Sequence, residues 1–289
     1  MKSNIWMRFQ SIGYALKSFR LLKKGQLPKY EIIQLAHRLE KGLLIETPKP
    51  WWGWEKAERM VSLIQNNEDE FSNLTGKGVL KAYVEAKKKS DNPKEVEKAN
   101  KLAEAHPEIC EVETPGGFMQ LKREDFPEEQ KEVIENFFNS RHSCREFQNK
   151  IVAKDDIEAA VTLALRCPSA CNRQVTNCYV YQSKDLQTII ITASIRAYDM
   201  GEFNDWFVSP SIFAGYLSLS LHLYGIGSCV YRKQLYGKHS YNESMRKKFN
   251  IPEDEMIICE LRFGYYPDTV KVPVSNRHQA NDIISFVKE

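Results

Sequence analysis

Much that would settle a function at once is missing from this sequence. No apolar run approaches the roughly 20 residues that cross a bilayer, so no transmembrane helix is expected. No GxGxxG fingerprint is present, so a nicotinamide dinucleotide has no resident site of that kind and would have to bind transiently. No charge of one sign dominates: 41 basic against 38 acidic side chains leave a formal +3, too little to hold nucleic acid by bulk charge. No period of 20 to 50 residues repeats, which excludes solenoids. The seven cysteines are odd in number and no secretory leader pattern precedes them, so reduced thiols in the cytoplasm are expected. Cys167, Cys171 and Cys178 cluster, but at spacings that fit no zinc or iron–sulfur pattern, so no metal is expected. What is present, 42% hydrophobic and 27% charged residues over 289 positions, excludes disorder and suffices for one or two domains.

Apolar spacing then organises the chain. The first 30 residues hold seven basic side chains and no acidic one. Ile5, Phe9, Ile12, Leu16 and Phe19 recur at helical steps, with Arg8, Lys17, Arg20 and Lys24 off that stripe. Three destinations stay open for this helix: packing on its own domain or a partner subunit, peripheral contact of residues 1–24 with an anionic inner membrane face, or an organelle presequence. A second helix is expected from Lys29 to about Leu44, stopped by Gly42 in the left-handed conformation. On it, His37, Arg38, Glu40 and Lys41 form either a functional patch or a solvated face. The run from Pro48 to Trp54 reads as a stiff turn whose three tryptophans plug a core edge or an interface. Charged helices are expected over 55–66 and 79–105, the second interrupted near Asn92-Pro93. Breakers between 106 and 126 separate a helical N-terminal extension, 1–126, from a second domain, 127–289. There the order is helix 128–139, helix 154–167, loop 168–174, strand Cys178–Gln182, helix 184–193, a long apolar helix 209–225 and strand Ile257–Phe263.

Three segments of the second domain could carry chemistry. Arg141-His142-Ser143-Cys144-Arg145 brings two guanidiniums, an imidazole and a hydroxyl within five residues, a plausible phosphate clamp or a set of helix-end donors. Cys167-Pro168-Ser169-Ala170-Cys171-Asn172-Arg173-Gln174 offers amides suited to the edge of a planar heterocycle, or is a polar turn. Gly225-Ile226-Gly227-Ser228-Cys229 lets backbone approach a ligand, or caps a helix and forms a bulge. Arg277, after Pro273 and Ser275, is a further phosphate partner.

In order and spacing these segments resemble the FMN-dependent nitroreductase family over roughly residues 136 to 289. SRHSCREF is similar to its opening motif and CPSACNRQ to its Ala-Pro-Ser-x-x-Asn-x-Gln motif. The apolar helix ending in GIGSC, the strand ending in Phe263-Gly264-Tyr265-Tyr266-Pro267, and Arg277 keep its order. The resemblance implies an α+β fold with a central, mostly antiparallel sheet flanked by helices, in a homodimer with FMN at the subunit interface. It implies that Arg141, His142 and Ser143 hold the FMN phosphate, closed by Arg277, and that Arg145 reaches the pyrimidine edge, where positive charge stabilises reduced flavin. Pro168, Ser169, Ala170 and Asn172, with Gln174, would approach the ring from the other subunit, and Val230, Tyr231 and Arg232 would border it near N5. NADH or NADPH would reduce the flavin, which then reduces a small organic acceptor. Two departures stand out: Val175-Thr176 replaces the Pro-Trp that often follows the Asn-x-Gln element, and the catalytic part is short. The extension with AHRLEKGL and its Pro-Trp turn resembles a subgroup associated with bacterial surface-polysaccharide genes. Two rival readings remain at this stage. One keeps FMN for dehalogenation or oxidation of a saccharide-linked substrate; the other is a non-catalytic scaffold with a membrane-surface N-terminal helix.

Overall fold

A computed structural model describes residues 20–21, 23–45, 49, 51–123, 130–198, 202, 205–231 and 239–287. The stripe at residues 5–19 and Arg232 lie outside these. Five helices come first: α1 (Pro28–Leu43), α2 (Trp54–Ile64), α3 (Glu70–Lys88), α4 (Pro93–Ala105) and the short α5 (Pro107–Glu111). Then follow α6 (Lys131–Ser140), α7 (Lys154–Ala164), β1 (Thr176–Gln182), β2 (Gln187–Ser194), α8 (Asp205–Leu223), β3 (Ile226–Tyr231), α9 (His239–Phe249) and β4 (Glu255–Tyr265). The four strands form one antiparallel sheet in the order β1-β2-β4-β3, so the fold is α+β with a helical N-terminal region.

One expected element changes type. Residues 187–194 form a strand where a helix was expected over 184–193. The reason lies in its place: β2 is an inner strand, buried along its whole length, so Ile189, Ile190 and Ile191 face both sides of the sheet and show no alternation. Three isoleucines and two threonines in eight residues are β-branched, stiff at χ1 and suited to a pleated surface. Ile189 and Ile191 join Leu261 and Phe263 against α7 and α8, while Ile190 and Ile257 pack with Ile251, Met245 and Phe249 on the opposite face.

The N-terminal helices have a core of their own, in which Ile32, Leu35 and Leu39 of α1 meet Met60, Val79, Leu80, Tyr83 and Ile109. Tyr30 of the same α1 belongs instead to the core of the sheet, and burial pushes its phenol up to about 12. Just before α1, Leu27 N–H donates to Arg196 C=O (3.0 Å), Gln26 Nε2 to Ala197 C=O (2.9 Å), and Arg196 Nε to Gly25 C=O (3.1 Å). α1 is therefore shared between the two cores.

Gly42 is not the expected left-handed stop. It lies inside the last turn of α1, which continues to Leu43, and a Cβ there would overlap the Trp52 ring. The tryptophan turn thus packs on α1, as a plug. Beneath it, Glu95 accepts from Lys87 Nζ (2.6 Å), Ser90 Oγ (2.8 Å), Trp51 N–H (3.0 Å) and Trp54 Nε1 (3.3 Å). Burial disfavours the Glu95 charge, but the hydrogen bonds and the Lys87 ammonium outweigh it and hold the carboxyl below its ordinary value of 4.5. Removing one member strands the other's charge in the core. Lys87→Met is expected to cost about 3–5 kcal/mol in urea unfolding at pH 7. Because the folded carboxyl has the lower pKa, this contribution is complete above the unfolded value and is lost as pH falls through the folded one. The gap between wild type and variant should therefore shrink in unfolding curves taken below pH 4.

Candidate functional site

The site is built where the chain leaving α6 meets the outer edge of β3. Ser143 bridges Ser228 in parallel and Cys144 N–H donates to Ser228 C=O (2.9 Å), so residues 141–145 run extended as a strap along the sheet. The strap then crosses toward β4, where Gln148 N–H donates to Tyr265 C=O (3.0 Å). Gly227 and Gly264 stand directly opposite each other in the register and lie beneath this crossing. A Cβ at Gly227 would come 2.9 Å from Cys144 Cβ, and one at Gly264 would come 2.6 Å from Phe147 Cβ. Of the uses open in the sequence the structure shows the cap, with Gly225, at φ +69°, ending α8; what Gly227 admits to close approach is the strap of this chain, which the sequence pattern does not foretell.

Cys144 faces the sheet and is buried, so alternation along the extended strap turns Arg141, Ser143 and Arg145 the other way. Arg141 stands near His222, whose ring is held by Ser140 Oγ (2.8 Å) and the Tyr266 hydroxyl (3.0 Å). Burial first, then the Arg141 and His142 charges, push His222 below the usual histidine range, so its neutral form is favoured. Among the described residues neither Arg141 nor Arg145 forms an ion pair; Arg145 Nη1 donates to Ser143 C=O (3.3 Å).

Arg145 and Tyr231 meet in a cavity of about 300 Å³ that is also lined by Gln148, Asn149, Lys184, Asp185 and Arg262. The Arg262 guanidinium lies over the Tyr231 ring, 4.7 Å from its centroid, and its Nε donates to the buried Glu260 (3.1 Å). Lys184 and Arg262 were not singled out in the sequence. Arg262 did carry a signal there, because Glu260 and Arg262 are two charges at a spacing of two, on one face of the otherwise apolar run 256–263. Val230 is exposed at the end of β3.

Loop 168–174 is elsewhere in the chain. Ala170 N–H donates to Ser209 Oγ (3.1 Å) near the start of α8, and Gln174 N–H to Ser169 Oγ (3.2 Å). Cys171, Asn172 and Gln174 all have left-handed backbones, at φ 51°, 52° and 48°, a strain of order 1–3 kcal/mol apiece that surrounding contacts must hold in place. Pro168 and Asn172 are exposed. Ser209 and His222 are 13 residues apart on α8, which sets the loop and the strap about 20 Å apart along one chain at a rise of about 1.5 Å per residue. Arg277 stands on an exposed C-terminal tail, with Nη1 donating to Ser275 C=O (2.5 Å).

The thiols near the strap and loop are shielded. Burial pushes Cys144 and Cys167 up and takes Cys178 to about 12, whereas Cys110, far from the site in sequence, is exposed. Among the described residues no three His, Cys, Asp or Glu side chains converge as metal ligands would, and no helix is long and apolar enough to cross a membrane.

Residues 139–203 match the model of the nitroreductase family. The match takes in the strap, α7, the strained loop, β1 and β2, and so two of the four ordered segments; Gly225–Cys229 and Arg277 lie beyond it. No curated protein matches the sequence. Similar solved structures include a nitroreductase with bound FMN from Desulfitobacterium hafniense DCB-2, 18% identical, covering 53% of this chain and 97% of that one at a TM-score of 0.44. An FMN-dependent nitroreductase from Clostridium difficile R20291 is 20% identical, with coverages of 53% and 98% and a TM-score of 0.45. A BluB-like flavoprotein from Clostridium difficile 630 is 16% identical, with coverages of 54% and 99% and a TM-score of 0.45.

The donor set suits FMN. Arg141 and Ser143 offer phosphate a guanidinium that has no carboxylate partner among the described residues and a hydroxyl on the same side of the strap, and the cavity beside them carries three cations and one lining carboxylate. Since the strap can lie on the sheet only over bare glycines, Gly264→Ala is expected to lower stability by about 1–3 kcal/mol through overpacking against Phe147. Chemical denaturation of the two proteins side by side measures it.

Proposed function

We propose that the chain is an FMN-dependent oxidoreductase that uses NADH or NADPH to reduce a small organic acceptor, so that NAD(P)H, a proton and acceptor A give NAD(P)⁺ and AH₂. The observation that carries this reading is the convergence of Arg145, Tyr231, Lys184 and Arg262 on one polar cavity beside Ser143 and Arg141, which forms no ion pair among the described residues, inside and next to the family match. Bound there, FMN would supply two-electron redox chemistry that no side chain of this protein provides. Arg141, Ser143 and His142, with Arg277, would hold its phosphate; Arg145 would stabilise negative charge on the reduced ring; Val230, Tyr231 and Arg232 would border the reacting edge. Pro168, Ser169, Ala170, Asn172 and Gln174 would cover the ring from a second copy of the chain, with residues 1–126 acting as a helical extension of the FMN-binding domain, 127–289.

Two features support the homodimer. The strap and the loop meet α8 near opposite ends, about 20 Å apart, a separation that a site shared between two chains accommodates. In addition, α6 buries no side chain, and Phe137, Leu163, Tyr216, Leu219 and Leu223 line an apolar groove of about 210 Å³, while Ile283, Phe286 and Val287 of the tail are also bare. An apolar groove left bare at the surface marks an interaction site.

The purified protein should show oxidised-flavin absorbance, or acquire it with FMN, and bleach on anaerobic addition of NADH or NADPH. A protein that takes up no FMN would overturn the reading. Arg141→Ala is expected to weaken FMN binding about tenfold to hundredfold, the loss for one charged hydrogen-bond partner, as read by fluorescence titration. Leu223→Asp, at an exposed position, should turn the dimer into a monomer by light scattering and release FMN with it. A variant that stays dimeric and flavin-loaded would displace the interface from α8.

A further inference from the structure

α1 carries a basic stripe that the flavin reading does not use. Gln34, His37, Arg38 and Lys41 fall at i, i+3, i+4 and i+7, one face of the helix. This face is fixed against the strained loop: α1 packs on residues 170–172, and in the amide orientation that satisfies both neighbours the Gln34 oxygen accepts from Nη2 of Arg173 and from Nη2 of Arg38 (2.9 Å for Arg38). Arg173, the residue between Asn172 and Gln174, has a fully buried side chain. Its Nη2 also pairs with Glu202 (2.8 Å), its guanidinium stacks 4.7 Å from the Tyr198 ring centroid, and among the described residues its Nε and Nη1 have no hydrogen-bond partner.

The charges here do not balance. Two guanidiniums meet on one neutral oxygen, and among the described residues only Arg173 of the two has a carboxylate partner. The acids of α1 are turned away: Glu31 pairs with Arg59 (2.8 Å), and Glu40 is engaged by the Gly117 backbone N–H. Among the described residues Arg38 and Lys41 form no ion pair, and both are exposed, with His37 half-buried between them. Like charges gathered without a counterion repel, and an anion is what would offset them. Planar guanidinium and point-charge ammonium together suit a carboxylate or a phosphate.

We propose that His37, Arg38 and Lys41 form the wall of the acceptor site and bind an anionic group, carboxylate or phosphate, on the acceptor. Arg173 and Gln34 are positioning residues that hold this wall against loop 168–174. The inference rests on the reading that this loop covers the flavin. The acceptor is thus an anionic organic molecule, and the N-terminal extension selects it.

The test uses the full chain loaded with FMN and reduced by dithionite, which removes the nicotinamide from the measurement. Flavin reoxidation is followed anaerobically against increasing 4-nitrobenzoate, 4-nitrophenyl phosphate and the neutral 4-nitrobenzyl alcohol. In wild type at least one anionic compound is expected to half-saturate at a concentration tenfold or more below that of the alcohol. In the double variant Arg38→Gln, Lys41→Gln that ratio should fall about tenfold or more. Lys41→Gln alone, at an exposed position, keeps the test open if the double variant does not fold, with a smaller fall expected. No preference for either anion in wild type, or a ratio unmoved in the variants while FMN stays bound, overturns the proposal. Failure of wild type to bind FMN instead overturns the flavin reading on which it rests.

Discussion

The site depends on backbone lying on backbone. A strap of chain can join the outer edge of β3 and pass on to β4 only if nothing stands up from the sheet beneath it, and Gly227 opposite Gly264 clears that space. The consequence reaches the chemistry directly. With Cys144 pinned over Gly227, alternation leaves Arg141, Ser143 and Arg145 no choice but to face outward together. Three dispersed polar residues become one donor surface because two residues elsewhere have no side chain.

α8 acts as a ruler for the rest. Its start anchors loop 168–174 through Ser209, and its end holds Ser140, the residue that leads into the strap, through His222. A rigid helix of this length keeps apart two elements that the family resemblance assigns to one cofactor. On the proposed homodimer, their union across two chains would also cover the apolar side chains that α6, α8 and the C-terminal tail leave exposed among the described residues. Covering that surface and completing the site would be a single event, so loss of the dimer and loss of the cofactor belong together.

Much of this was readable in the sequence, and what was not has physical causes. The strap, the loop and the ending of α8 by glycine were found because each gathers turn formers or several polar side chains in a short window. The amphipathic pattern placed α1, α2, α7 and α8 to within a few residues of where they stand. β2 was misread because an inner strand buries both faces and so loses the period that identifies strands. Glycine chemistry alone points to a left-handed stop at Gly42, whereas the need for glycine there comes from Trp52, ten residues on in sequence and outside the helix. Lys184 and Arg173 could not be seen at all. One is an ordinary turn lysine until the fold brings it to Arg145, and the other is an ordinary arginine until it is buried under α1.

That last burial gives the extension its meaning. A helical add-on with its own core has no reason to send one residue, Tyr30, into the other core, nor to pair its entry segment with residues 196–197. It also has no reason to place an amide against a guanidinium that belongs to the most strained loop of the chain. Left-handed backbone at three side-chain-bearing positions persists only where neighbours over-determine it, and α1 is one of those neighbours. On the proposed reading, α1 would then complete the acceptor side of a short FMN-binding domain. The same contact that steadies the loop carries His37, Arg38 and Lys41 to its side, so support for the loop and choice of acceptor would be two results of one packing interaction.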